Sequence, residues 1–337
     1  MNIGGNATDV KVEDVNGDGL EDVLASDGTN GNVRVLLNNG DGTFRYQVSS
    51  GGSGTFKSPV TFNLSDVNLS SVKYATIDYN NDGRDDLLVN RYYDDGLGDT
   101  DSYVELYRGE GDGSFTFINY PIFDGNGYYG GSEMQVADVT GDGNKDFVIK
   151  NNNDGLYEVY TGSGSGFSYK ASYDFGNSAE GEFSDLNGDG KVDFIGVDGG
   201  SIVYAMLGNG DGSFKTRVQN STDVSGSGNL GLFDTNGDGY KDIIAETASG
   251  ISVLRSNGDG TFKKATTYTL STGSYDIAYG DVNNDGEVDA LTSSGGGLVL
   301  YGNGDGTFKE ATAVSLNSSS FHYDVILKDV NGRSEEH

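Results

Sequence analysis

Cysteine and tryptophan are both absent from this 337-residue chain, and histidine occurs only twice. Without cysteine no disulfide can staple the fold, a composition that suits a prokaryotic extracellular protein better than a small secreted animal domain. Without tryptophan the strongest aromatic platform for a sugar ring is missing, which leaves the 21 tyrosines as candidates, most of them claimed by strands. The two histidines, His322 and the terminal His337, offer little for acid–base or nucleophilic chemistry. Basic residues are also scarce: 21 Lys and Arg stand against 52 Asp and Glu, a net charge of −31. That balance excludes nucleic acid held through its phosphates and attraction to anionic membrane surfaces. No apolar run is long enough to cross a membrane. The first residues have neither a charged n-region nor an apolar h-region, so the expectation is a removed signal or an excised piece.

What is present is one acidic phrase written six times, Asp-x-Asn-x-Asp-Gly-x-x-Asp. Its positions 1, 3, 5, 7 and 9 are Asp14, Asn16, Asp18, Leu20 and Asp22 in the first copy. The second has Asp78, Asn80, Asp82, Arg84 and Asp86, and the third Asp138, Thr140, Asp142, Asn144 and Asp146. Asp185, Asn187, Asp189, Lys191 and Asp193 follow, then Asp234, Asn236, Asp238, Tyr240 and Asp242. Asp281, Asn283, Asp285, Glu287 and Asp289 complete the set. A hard cation takes six to eight oxygens, and side chains at 1, 3 and 5 of a tight loop can converge on one. Position 7 would supply a backbone carbonyl, which fits its unconstrained side chain, and position 9 returns a carboxylate. Glycine at position 6 permits the positive φ of the turn. The expectation is about six Ca²⁺ ions, one per repeat, each pinning its loop. Thr140 is a weaker ligand than Asn, so the third site should bind less tightly. The loop is not an EF-hand, because position 12 is Ala25, Val89, Ile149, Gly196, Ala245 or Thr292 rather than Glu. Asp, Asn and Gly also make plain turns, but six copies agreeing at positions 1, 5, 6 and 9 argue against that reading.

Successive phrases begin 47 to 49 residues apart after two longer spacings. Each unit runs an alternating segment, the acidic loop, a compact apolar run, a turn, a further strand, a second Gly-rich turn and a last strand. The second turn is clearest as Asn39-Gly-Asp-Gly-Thr-Phe44 and at residues 209–214, 257–262 and 303–308, where it reads as a hairpin with Phe packed between blades. With 55 glycines and no sustained helical period, the class is all-β, a β-propeller of four-stranded antiparallel blades. A linear β-solenoid is the runner-up. Six units are complete. A seventh begins at Phe321–Leu327 and Asp329, then fails at Arg333, so the parent is either seven-bladed or closed on six. The propeller is taken as one domain over 1–331, and 332–337 as a tail of vector origin. Insertions at 46–57, 92–102 and 120–129 depart from the repeat and are candidates for binding loops.

These residues resemble the FG-GAP and VCBS repeats of integrin α-subunit propellers and microbial surface proteins, over roughly 7–331. The resemblance implies Ca²⁺ between the first two strands of each blade. Leu24-Ala-Ser, Val89-Asn-Arg and Ile244-Ala-Glu stand where the integrin type has Gly-Ala-Pro, which favours the microbial branch. The function expected is a non-enzymatic adhesion or carbohydrate-recognition module, extracellular or at the cell surface, with a protein or glycan ligand. A surface-layer or filament subunit, associating through the incomplete seventh unit, is one alternative. A polysaccharide lyase is the other.

Overall fold

A computed structural model of the chain describes residues 7–27, 32–40, 44–46, 60–61, 72–94, 100–119, 134–175, 178–198, 202–221, 230–247, 250–270, 277–292 and 297–313. Strands account for nearly all of its regular structure, and no helix occurs among these residues. They form six antiparallel sheets, each with four strands paired in chain order, and one of them carries a fifth short strand. The fold class is therefore a β-propeller of six blades, the smaller of the two counts the sequence allowed. Residues 314–337, which hold the start of a seventh unit and the tail, lie outside the described residues.

Blade one comprises β1 (Ala7–Glu13), β2 (Asp22–Asp27), β3 (Asn32–Asn38) and β4 (Phe44–Tyr46). A fifth short strand, β5 (Val60–Thr61), pairs with Arg34 and Val35, whereas β4 pairs with Leu36 to Asn38. The outer strand position is thus split in two, and the 46–57 insertion lies outside the described residues beyond Tyr46. Blade two has β6 (Val72–Ile77), β7 (Asp86–Asp94), β8 (Thr100–Gly109) and β9 (Phe115–Asn119). Its 92–102 insertion is not wholly a loop: Tyr92, Tyr93 and Asp94 pair with Ser102, Asp101 and Thr100. Most of the added length therefore continues the β7–β8 ladder. Blade three has β10 (Met134–Ala137), β11 (Asp146–Lys150), β12 (Tyr157–Gly162) and β13 (Phe167–Tyr173). The 120–129 insertion before it lies outside the described residues.

Blade four has β14 (Ser178–Ser184), β15 (Asp193–Asp198), β16 (Ile202–Met206) and β17 (Val218–Ser221). Blade five has β18 (Leu230–Phe233), β19 (Asp242–Thr247), β20 (Gly250–Leu254) and β21 (Thr266–Thr269). Blade six has β22 (Ile277–Gly280), β23 (Asp289–Thr292), β24 (Leu298–Leu300) and β25 (Thr312–Ala313). The chain divides into two compact units. Blades one to three belong to the first, with residues 211–213, and the remaining strands to the second.

Alternation along the strands gives each blade two apolar faces, and these pack on the neighbouring blade. In the first unit, Leu24, Val35 and Leu37 of blade one meet Tyr74, Leu87 and Val89 of blade two. The other face of blade two, with Ala75, Ile77, Leu88 and Leu106, meets Met134, Phe147, Ile149 and Tyr160 of blade three. Within the second unit, Ile195, Val203 and Ala205 pack on Leu232, Ile243 and Leu254, and Ile244, Ile251 and Val253 pack on Ile277, Ala290 and Leu300. The phenylalanines of the second Gly-rich turn complete these layers. Phe308 bridges back to Gly302 and lies in the cluster between blades five and six, while Phe262 packs between blades four and five. Phe308→Ala should therefore cost about 3–5 kcal/mol in urea unfolding, against less than about 1 kcal/mol for Phe117→Ala on an exposed outer strand.

Candidate functional site

The six acidic phrases all fall between the first and second strands of their blades. Each position-1 carboxylate folds back into its own loop, and its Oδ2 accepts the N–H of the position-6 glycine. These contacts are 2.7 Å for Asp14, 2.9 Å for Asp78 and Asp138, 2.8 Å for Asp185 and Asp234, and 2.7 Å for Asp281. The position-5 Oδ1 accepts the N–H of position 7, from 2.8 Å at Asp142 to 3.1 Å at Asp82. Position 4 also takes positive φ: it is glycine in four loops and Asn81 (57°) or Asn284 (62°) in the others. The restriction to Gly and Asn at that place is a signal the sequence carried beside the better-known position 6.

Position 9 behaves differently. Asp22, Asp86, Asp146, Asp193, Asp242 and Asp289 are all fully buried. In every blade Oδ1 accepts a backbone N–H from the residue that opens the second Gly-rich turn. The donors are Asn38 (2.7 Å), Gly109, Gly162, Gly208 (2.7 Å), Ser256 and Gly302, with the other four at 2.8 Å. The second oxygen usually accepts from position 2 of its own loop, as from Tyr79, Leu186, Thr235 and Val282. This carboxylate thus ties the two turns of a blade together. Gly162 shows how close they come, because a Cβ there would sit 2.1 Å from the Lys145 carbonyl oxygen.

The loops are not equivalent. Asp22 Oδ2 in loop one is buried with no hydrogen-bond partner, and so is Asn16 Nδ2. In loop three the Thr140 hydroxyl lies 3.2 Å from both Asp138 Oδ1 and Asp146 Oδ2. Loop five satisfies Asp242 Oδ2 with the Thr235 hydroxyl and with Asn236 Nδ2 at 3.0 Å. In loops two and four the position-7 base pairs with the position-5 acid: Arg84 to Asp82 at 3.0 Å and Lys191 to Asp189 at 3.6 Å.

Position 7, expected to leave its side chain free, in fact lays it over the glycine two residues into the second turn. A Cβ on Gly40 would lie 3.2 Å from Leu20 Cδ1, and one on Gly258 2.7 Å from Tyr240 Cζ. Arg84, Asn144, Lys191 and Glu287 cover Gly111, Gly164, Gly210 and Gly304 in the same way. Six different side chains are therefore displayed at one equivalent place. The Asp of the second turn is occupied locally, accepting from Ser or Thr two residues on, as Asp259 does from Thr261 at 2.6 Å.

Burial drives the electrostatics of position 9. It pushes Asp22 and Asp86 up to about 6; backbone donors oppose the shift, and the carboxylates at positions 5 and 1 of the same loop add to it. Asp85, beside Asp86, also reaches about 6 through burial and then through Glu13, Asp14 and Asp78. Asp146, Asp193 and Asp289 move the same way for the same first reason. The donor set is oxygen throughout, the chemistry of a hard cation, and the orphan Asp22 Oδ2 among like charges fits one. Among the described residues, however, no three acidic or histidine side chains converge on a metal-binding point. Binding would require carboxylates now accepting backbone N–H groups to turn inward.

The FG-GAP-like repeat matches residues 14–89, 78–149, 185–245, 234–292 and 281–333. No curated protein matches the chain significantly. Among solved structures it is similar to an Agrocybe aegerita lectin described as recognising non-reducing terminal N-acetylglucosamine. The TM-score is 0.69 with 22% identity, over 94% of this chain and 83% of the lectin. It is also similar to BBS1N, solved in complex with ARL6DN, in a lead-soaked crystal (TM-score 0.52, 12% identity, 94% of this chain and 84% of that one). A mercury-soaked crystal of the complex gives TM-score 0.51 and 10% identity, over 93% and 82%. At these identities the likeness is one of fold.

Raised carboxyl pKa values have a definite sign for stability. An unfolded aspartate titrates near 3.8, so between there and about 6 the folded state holds more protons at Asp22, Asp85 and Asp86. Their contribution is therefore present below pH 3.8 and lost as pH rises through about 6. In chelator-treated protein, mutating Asp86 to Asn should flatten the fall of the thermal midpoint across this window, as read by circular dichroism.

Proposed function

The chain belongs to the FG-GAP-like repeat family, and from that premise we propose that it is a non-enzymatic, calcium-stabilised recognition module for extracellular glycans. The observation that carries the calcium half is the buried position-9 carboxylate, repeated in six blades with acids at positions 1 and 5 beside it. Ca²⁺ bound at these loops would supply positive charge to oxygen-only donor sets. Asp22, Asp86, Asp146, Asp193, Asp242 and Asp289 would hold it with the acids at positions 1 and 5 and the side chain at position 3. Loops two and four would first have to release Arg84 and Lys191 from Asp82 and Asp189. Loop three remains the weakest candidate, since Thr140 stands where the others have Asn. Millimolar calcium outside cells matches short loops of modest affinity, which favours a site of action at the cell surface or beyond it.

The recognition half rests on the separation of frame from display. The repeated residues are consumed in turns and blade packing. Leu20, Arg84, Asn144, Lys191, Tyr240 and Glu287 vary on that shared frame, and such variation suits ligand discrimination. The fold it shares with an N-acetylglucosamine-recognising lectin makes a glycan the first ligand to test. With two histidines and no cysteine, composition favours binding over catalysis.

An ion that binds only the folded state at 100 times its Kd stabilises by about 2.7 kcal/mol per site. Removing several such ions with EGTA should lower the thermal midpoint by more than about 10 °C, restored by Ca²⁺ and not by Mg²⁺. An unchanged midpoint would overturn the calcium reading. A glycan array probed in Ca²⁺ should give saturable, structure-selective binding that disappears in EGTA. A blank array beside calcium-dependent binding to a surface protein would replace the glycan with a protein ligand.

A further inference from the structure

A cavity of about 380 Å³ opens among the first strands of blades one, two and three, wholly within the first unit. β1 contributes Lys11 and Glu13, two residues apart and so on one face of the strand. Position 8 of loops two and three contributes Asp85 and Lys145. Ile77 and Met134, both buried, give the wall an apolar stretch. The volume lies at the small end of ligand pockets and suits a molecule of amino-acid size.

Five charged side chains of both signs therefore line one cavity, because Asp78, position 1 of loop two, joins Lys11, Glu13, Asp85 and Lys145, and among the described residues none of them makes an ion pair. The Lys11 ammonium instead lies 5.4 Å from the centre of the Tyr74 ring. Glu13 and Asp85 come from adjacent blades and repel each other. The repeat does not require this arrangement. In the second unit the position-8 residue of blade five, Lys241, attracts Glu182 of blade four, so a blade junction there carries complementary charges. Lys11, Glu13 and Asp85 are half-buried and Lys145 is exposed, so a ligand that supplies the opposite charges gains most at the half-buried groups, which have given up part of their water. A neutral sugar leaves both signs unanswered, and a simple cation leaves the lysines unanswered.

We propose that this cavity binds a small zwitterion with an aliphatic body, the class of the free aliphatic amino acids. The ligand's ammonium sits toward Glu13 and Asp85, its carboxylate toward a lysine, and its alkyl body against Ile77 and Met134. The site adjoins loop two, since Asp78 lines the cavity while its Oδ2 accepts the Gly83 N–H, and it is separate from the side chains displayed over the turn glycines.

Isothermal titration of the full chain in Ca²⁺ with L-leucine tests it. Saturable one-site binding is expected. Leucinamide, which lacks the carboxylate, and N-acetyl-leucine, which lacks the ammonium, should each bind at least about tenfold more weakly. Glu13→Gln and Lys145→Met, on different blades, should each weaken L-leucine at least about tenfold while the thermal midpoint in Ca²⁺ stays near that of the parent. No saturation with L-leucine would overturn the proposal. So would equal binding of leucinamide, or unchanged affinity in the two variants where both fold.

Discussion

Everything else in the blade depends on a buried carboxylate that accepts an N–H from across the sheet. Taking a carboxylate out of water is costly unless hydrogen bonds replace the water. Position 9 meets that condition with the first N–H of the second turn and, in most blades, with the N–H of position 2. A hydrogen bond to a charged group contributes about 1.5–3 kcal/mol, so the tie is strong enough to set where both turns lie. It joins a loop between strands one and two to a turn between strands three and four, which no ladder of neighbouring strands would do. Within the second unit the second turn then reaches the preceding blade, where Gly306 N–H donates to the Thr235 carbonyl at 2.8 Å. One side chain per blade thus orders a chain of contacts from loop to turn to neighbour.

That tie explains what was and was not legible in the residues. Period, strand count and the place of each acidic loop follow from spacing alone, because a four-stranded blade needs about that much chain and a turn at each reversal. The hairpin nature of the second turn and the interblade seat of Phe262 and Phe308 follow from Gly-Asp-Gly and an apolar residue after it. The use of Asp22 or Asp193 does not follow. A carboxylate at position 9 has the same letter whether its lone pairs face a cation or a backbone N–H, and only burial separates the two. Position 7 misleads for a related reason: Leu20, Arg84 and Tyr240 share no chemistry, yet each needs only a flat glycine beneath it. At 92–102 the aspartates and glycines suggested a loop, yet the ladder continues as far as the Asp94–Thr100 pair.

Six copies of one phrase also conceal a graded series. Loop five satisfies its buried acid with Thr235 and Asn236, and loop three does so with the Thr140 hydroxyl. Loops two and four place a base against the position-5 acid in exposed pairs worth at most about 1 kcal/mol. Loop one has neither device and keeps an unpartnered carboxylate oxygen in its interior. Cation occupancy at such loops would be stepwise rather than all-or-none, since the competing internal donors differ from blade to blade. A repeat that looks uniform in sequence is therefore uneven in electrostatics.

The same unevenness separates architecture from recognition. Residues that every blade shares are already committed: position 1 to its own loop, position 9 to the second turn, the turn aspartate to its Ser or Thr. A committed side chain has little left for a ligand, so selectivity must come from places where blades differ. Two such places are in view, the side chains over the turn glycines and the inner strands of blades one to three. They differ in kind, the first a place in each blade set by a single residue, the second a cavity in which three blades bring unlike charges together. A propeller can change either without disturbing the buried carboxylates, because neither Tyr240 over its glycine nor Glu13 at the cavity takes part in the tie that holds a blade's two turns. The frame conserves its hydrogen bonds within each blade, and this independence is what leaves its variable positions free to acquire ligands.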